Sequence, residues 1–207
     1  MRCLEYRQEQ EGQVSILLAN ENVAIRTDCI YSLSANIDAM DINELTAMCA
    51  IEDKSMNKHF KLFECENSLG EIGLRSSRLD RIVLRGDDRL TVDIDSVVAF
   101  SADLLHPLCS EANWQQSKKY ICFKRREGDD GPIQSSVIIR CKYPLVVQTV
   151  HSDKTVTYPK GNLLATTCEI AGEDRAIDSA YCIMEGPGKV YLCNHVPPMK
   201  AEDILNW

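Results

Sequence analysis

Short runs of Val, Ile, Leu and Thr, interrupted by turn residues roughly every 8–12 positions, dominate this chain. Such runs are too brief for amphipathic helices and have the length of strands. In the first half they occupy 13–19, 22–27, 60–66, 71–75, 79–84, 90–94 and 97–102. The second half continues with 119–124, 136–141, 145–150, 155–158, 163–167, 180–184 and 189–193. Val14 and Ile16 share one face by two-residue alternation, and Val23 and Ile25 alternate with Ala24 and Arg26. Cys29, Tyr31, Leu33 and Ala35 read as one face of a further strand. Between the runs lie Asn20 and Asn22, Ser68-Leu69-Gly70, Arg85-Gly86-Asp87-Asp88, Asp95-Ser96 and Gly186-Pro187-Gly188, all of turn composition. The last of these is expected to be a tight hairpin turn, and 127–132 a hairpin tip.

Helix signals are few. Leu45, Met48 and Cys49 stand at helical spacing within 43–52, and 200–207 can form a short terminal helix after Pro197-Pro198. The expected fold is all-β: a duplicated antiparallel β-sandwich of double-stranded β-helix type. Residues 70–102 and 144–167 share one cadence of strand, turn, strand and apolar run. The 207 residues are therefore expected to form a single domain of two similar units, about 1–105 and 106–198, plus a short tail.

Composition narrows the partners. With 44% hydrophobic residues the chain can bury a core, and no apolar run approaches the about 18 residues that cross a bilayer as a helix. The formal charge of −8 disfavours nucleic acid, whose binding rests on neutralising phosphates. Two basic clusters, Lys118-Lys119 and Lys124-Arg125-Arg126, read as a solvated strand end and loop, since Glu127, Asp129 and Asp130 follow at once. The 10 cysteines never lie closer than 11 positions, which leaves no local zinc knuckle. Cys29, Cys65, Cys122, Cys141, Cys168, Cys182 and Cys193 fall in or beside predicted strands and are expected as reduced core fillers. Met1-Arg2-Cys3-Leu4-Glu5 has no apolar stretch behind it, so a cytoplasmic location is expected.

Gly70-Glu71-Ile72-Gly73-Leu74, Ile82-Val83-Leu84, Leu90-Thr91-Val92-Asp93 and Ser96-Val97-Val98-Ala99-Phe100, in that order, are followed much later by Gly186-Pro187-Gly188-Lys189-Val190-Tyr191-Leu192. This series resembles the altered inheritance of mitochondria protein 24 family. The resemblance spans about 60–105 and 180–195. It implies a fold like that of the tryptophan RNA-binding attenuation protein, and a soluble member of bacterial rather than organellar type. At Asp38-Ala39-Met40-Asp41-Ile42 the chain departs from the family, having the methionine without glycines.

Chemistry has few footholds. His59, His106, His151 and His195 are scattered, with no tight ligand pair. His151 at a strand end and His195 just after one leave open a cupin-like pair. Asp93 and Asp95 are expected on one solvated strand face, with Val92 and Ile94 inward; two carboxylates there could also divide acid and base roles or hold a hard cation. Ser76-Ser77 and Ser135-Ser136 lack a nucleophile-elbow context, and no phosphate-cradling glycine loop is present. No catalytic residue, metal ligand or cofactor is assigned. The function expected is that of a non-enzymatic β-sandwich scaffold or interaction protein that self-associates as a homo-oligomer. The alternatives are a small-molecule or metal-binding cupin-like protein and, by fold analogy alone, an RNA binder.

Overall fold

A computed structural model describes residues 5–10, 13–19, 22–40, 59–65, 69–76, 78–85, 88–104, 120–124, 135–172 and 181–193. After β1 (Glu5–Gln10), three stretches of chain follow one recipe. In the first, β2 (Gln13–Ala19) and β3 (Val23–Arg26) lead into a 3-10 corner at Thr27–Cys29. From it follow β4 (Ile30–Leu33), β5 (Asp38–Met40), β6 (Phe60–Glu64) and β7 (Leu69–Arg75). The second runs β8 (Leu79–Leu84), β9 (Arg89–Asp93), corner Ile94–Ser96, β10 (Val97–Ser101), β11 (Tyr120–Lys124) and β12 (Ser135–Arg140). The third runs β13 (Leu145–Val150), β14 (Thr155–Pro159), corner Lys160–Asn162, β15 (Leu163–Thr166), β16 (Glu169–Gly172), β17 (Tyr181–Glu185) and β18 (Gly188–Cys193).

The three stretches are repeats. Their first strands start at Gln13, Leu79 and Leu145, 66 positions apart each time. Within each, the strand before the corner pairs with the last strand but one (β3 with β6, β9 with β11, β14 with β17). The first strand pairs with the last (β2 with β7, β8 with β12, β13 with β18). The strand after the corner joins the last strand through a register slip at the same place, between Ile30 and Ser32, Val97 and Ala99, and Leu163 and Ala165. The strand pattern thus recurs three times among the described residues, over 13–75, 79–140 and 145–193. The matching of 70–102 to 144–167 paired the second and third copies. It missed the first, whose corner carries Thr27-Asp28-Cys29 in place of a Gly- or Ser-containing turn.

Each corner hands the chain from one sheet to the next. Arg26, Asp93 and Pro159 precede the corners with φ of −68°, −63° and −62°, values that proline holds by its ring. The N–H after each corner donates to its first carbonyl: Ile30 to Thr27, Val97 to Ile94, Leu163 to Lys160. Because of this handover, copies share sheets. The second sheet has the order β5-β6-β3-β10-β12-β8 and the third β11-β9-β15-β18-β13, each drawn from two copies. The first, β1-β2-β7-β4, and the fourth, β14-β17-β16, each hold one copy's strands, with β1 added to the first.

Three cores lie between the four sheets. Ile16, Leu18, Ile72 and Leu74 of the first sheet meet Val23, Ile25, Val98 and Ile138 of the second. The other face of the second sheet, with Phe60, Phe100 and Val137, packs on Leu90, Val92 and Phe123 of the third. Leu163 and Val190 then meet Tyr158, Cys182 and Met184 of the fourth. Sheets covered on both faces call for continuous apolar strands, and β10 and β15 are buried throughout. Phe60, Phe100 and Phe123 stack in the middle core, with ring centroids 5.5 and 4.9 Å apart.

The all-β expectation holds, and most strand ends agree to within a residue or two. Leu69 and Gly70 already belong to β7 rather than to a turn. Cys29 lies in a corner and Ala35 in a turn, so only Tyr31 and Leu33 of that predicted face share a strand, and both are exposed. The Gly186-Pro187 turn, whose peptide bond is cis, is no hairpin: β17 belongs to the fourth sheet and β18 to the third. Residues 43–52, 127–132 and 197–207 lie outside the described residues.

Arg26 is buried and spans two copies. Its Nε donates to the Val97 carbonyl at 2.9 Å, its terminal nitrogen donates to the Ile94 carbonyl, and its guanidinium stands 5.0 Å from the centre of the Phe60 ring. Removing it takes a charge-assisted donor from the Val97 carbonyl and leaves the Ile94 carbonyl with the Val97 N–H. Arg26→Met is expected to lower unfolding free energy by about 2–4 kcal/mol, and Arg26→Lys to recover only part, because one ammonium cannot replace the fork. Urea denaturation followed by circular dichroism measures both.

Candidate functional site

A cleft of about 1050 Å³ opens where the second and third repeats meet. Asp88 and Arg89 come to it from the start of β9, His151 from the turn after β13, Cys168 and Glu169 from the segment after β15, and Glu185 and Lys189 from β17 and β18. Backbone hydrogen bonds hold the rim. Lys154 N–H donates to the His151 carbonyl at 3.0 Å, and Gly186 N–H donates to the Lys154 carbonyl at 3.1 Å. Opposite them, Thr167 N–H donates to the Lys189 carbonyl at 2.9 Å and receives a return bond, Lys189 N–H to its Oγ1, at 2.8 Å.

Close packing at this rim requires glycine. A Cβ on Gly186 would stand 2.0 Å from the His151 carbonyl oxygen, and one on Gly188 2.7 Å from the Cys168 nitrogen. At Gly161, in the third corner, the same atom would meet nothing within 4 Å.

The side chains of the cleft are of mixed charge. His151 is exposed. Cys168 is buried, and burial pushes its thiol above the ordinary value, which makes it a poor nucleophile. The Tyr191 hydroxyl is likewise pushed up, by burial first and by the Asp88 charge second. Among the described residues, no group of three or more His, Cys, Asp or Glu side chains is placed to hold a metal ion.

The other predicted positions fall elsewhere. Asp93 and Asp95 do not share a strand face, because Asp93 ends β9 and Asp95 sits in the second corner. Asp93 is buried rather than solvated, and its Oδ1 accepts from Asp95 N–H at 3.1 Å, capping that corner. Ser135 and Ser136 are buried in the second sheet. Ser135 donates to the Asp103 carboxylate, and Ser136 Oγ accepts from Arg81 Nε at 2.9 Å. His106 and His195 lie outside the described residues, as do Ser77, Lys118, Lys119, Arg125 and Arg126. Of the seven described cysteines, all but Cys122 and Cys193 are buried. Sequence reasoning named His151 but missed its neighbours, since the cleft draws on residues from Val83 to Tyr191 with no local spacing to betray them.

Four stacked antiparallel sheets, built from a strand pattern that recurs three times, with a mixed-charge cleft at one junction, define an all-β protein of the sandwich class. Among the described residues no helix is long and apolar enough to cross a membrane. No family model and no curated protein matches the chain. Its structure is similar to the crystal structure of protein SPYM3_0169 from Streptococcus pyogenes, with a TM-score of 0.62 over 93% of this chain and 93% of that one. At 11% sequence identity, this likeness establishes a shared fold.

Two predictions come from these residues. Gly186→Ala is expected to destabilise the protein by about 2–3 kcal/mol through overpacking against the His151 carbonyl, whereas Gly161→Ala stays within about 0.5 kcal/mol of the parent in the same urea assay. The second concerns Cys141, whose thiol burial, with help from the Asp80 charge and a hydrogen bond to Asp80, pushes up from 9.0 to about 12. The folded chain therefore keeps this proton longer than the unfolded one. The stability it contributes is complete below pH 9 and is lost as pH rises towards 12. Stability should fall across that window, with Cys141→Ala reducing the slope by up to about 1.4 kcal/mol per pH unit; an unchanged slope counts against the assignment.

Proposed function

We propose that this protein is a non-enzymatic scaffold or interaction protein that self-associates, a cytoplasmic protein of the altered inheritance of mitochondria protein 24 type. The observation that carries the reading is where its large apolar side chains stay exposed. Tyr31 and Leu33 lie on β4, Leu69 opens β7, and Val146 and Val147 lie on β13. Among the described residues β4 and β13 are sheet edges, where an apolar strand invites another chain. The cleft supports the same reading, because its buried thiol is held protonated and its charges are of both signs.

Light scattering after size exclusion, from about 1 to 100 μM, is expected to show a mass above one chain that grows or saturates with concentration. A strict monomer across that range rejects self-association.

A further inference from the structure

We infer that copies of this chain join head to tail, the open edge of β14 on one copy pairing antiparallel with the open edge of β4 on the next. The inference rests on the self-association proposed above and specifies its interface.

The junction is already made twice inside the chain. The strand before one corner pairs with the strand after the next: β3 with β10, in the register Ala99↔Ile25 and Phe100↔Ala24, and β9 with β15, in the register Ala165↔Val92 and Thr166↔Thr91. The third repeat's pre-corner strand is β14, and the first repeat's post-corner strand is β4. Among the described residues, β14 pairs only with β17 and β4 only with β7, so these two edges are the separated halves of that junction. Joining them across copies gives a sheet of order β16-β17-β14-β4-β7-β2-β1, the arrangement of the second sheet with β1 added.

Burial agrees position by position. Tyr31 and Leu33 correspond to Val98 and Phe100 of β10. The latter pair are 0% exposed inside the made junction, while Tyr31 and Leu33 are 37% and 46% exposed at the open one. Neither open strand bears a charged side chain, in a protein of net charge −8. Pro159 does not obstruct the pairing, because its counterparts Arg26 and Asp93 lie outside the paired register in both made junctions. Homology of position then sets the contact: Ser32 opposite Tyr158 and Leu33 opposite Thr157.

A clamp repeats along with the pairing. At the second corner the Ile94 and Val97 carbonyls accept from Arg26 of the preceding repeat. At the third corner the equivalent Lys160 and Leu163 carbonyls share the one proton of the Tyr120 hydroxyl, each oxygen 3.4 Å away. Tyr120 opens β11 opposite Asp93, as Phe60 opens β6 opposite Arg26 and Tyr181 opens β17 opposite Pro159. Tyr181 therefore supplies the hydroxyl that reaches the Thr27 and Ile30 carbonyls at the first corner of the next copy.

Mixing tests this directly. Leu33→Cys and Thr157→Cys proteins, each checked for native circular dichroism, are combined and oxidised gently with diamide. The expected result is a covalent dimer in the mixture and none above parent background in either variant alone, since opposed strand positions suit a disulfide. Tyr181→Phe is expected to weaken association about fivefold, the loss of one hydrogen bond. If the parent self-associates, yet the mixture does not cross-link and Leu33→Asp leaves the assembly intact, the β4–β14 junction is overturned while self-association stands. Dissolution by Val147→Asp together with survival of Leu33→Asp moves the interface to β13 and likewise overturns it. A parent that is monomeric throughout removes both.

Discussion

The shared sheet is the constraint on which the rest of the structure depends. In the second and third repeats the strand leaving the corner enters a sheet begun by the previous repeat. β3 supplies the partner for β10 and β9 the partner for β15, and the two inner sheets are covered on both faces as a result. Burial on both faces removes the polar alternation usual in a sandwich strand. Val97-Val98-Ala99-Phe100-Ser101 and Leu163-Leu164-Ala165-Thr166 are what that demand looks like in sequence.

Sharing also creates a polar difficulty. At the second and third corners the backbone turns through three residues of 3-10 geometry, and two carbonyls face the preceding repeat, the first of them also accepting from the corner's own N–H. Buried carbonyls must be paired. One junction meets the requirement with a guanidinium and the other with a phenol, from different strands, on equivalent carbonyls. What recurs is the need for a donor at a place, not a residue type. Burial raises the Tyr120 hydroxyl well above its ordinary value, helped by the Asp93 charge, so it stays a donor at any ordinary pH.

That distinction explains how much of the molecule could be read from the chain. Strands such as Leu79–Leu84 and Leu145–Val150 were legible because turn residues bracket apolar runs. β1, Glu-Tyr-Arg-Gln-Glu-Gln, has no apolar alternation and is a strand because β2 offers an edge. β5 and β16, of three and four residues, are too short to show a period. The threefold repeat was hidden because Arg26, Asp93 and Pro159, which occupy one position, share no chemistry. Asp93 misled for a related reason: alternation assumes a continuing strand, and the corner ends it. Of the cleft, His151 alone could be singled out, since its other walls come from strands brought together only by the sharing of sheets.

Repetition with a constant register also bears on how an assembly of such chains grows. Both internal junctions pair the same strand positions, and a junction of constant register repeats one rotation from repeat to repeat. A head-to-tail contact built on that geometry continues the rotation across copies, three repeats at a time. Such a contact is heterologous, its two halves being different surfaces, and it closes only if a whole number of chains completes a turn. If it does, every pre-corner and post-corner strand finds its partner and no junction edge remains. If it does not, the same pairing leads to a filament with one open β4 and one open β14 at its ends, so the angle between neighbouring repeats decides the form of the assembly.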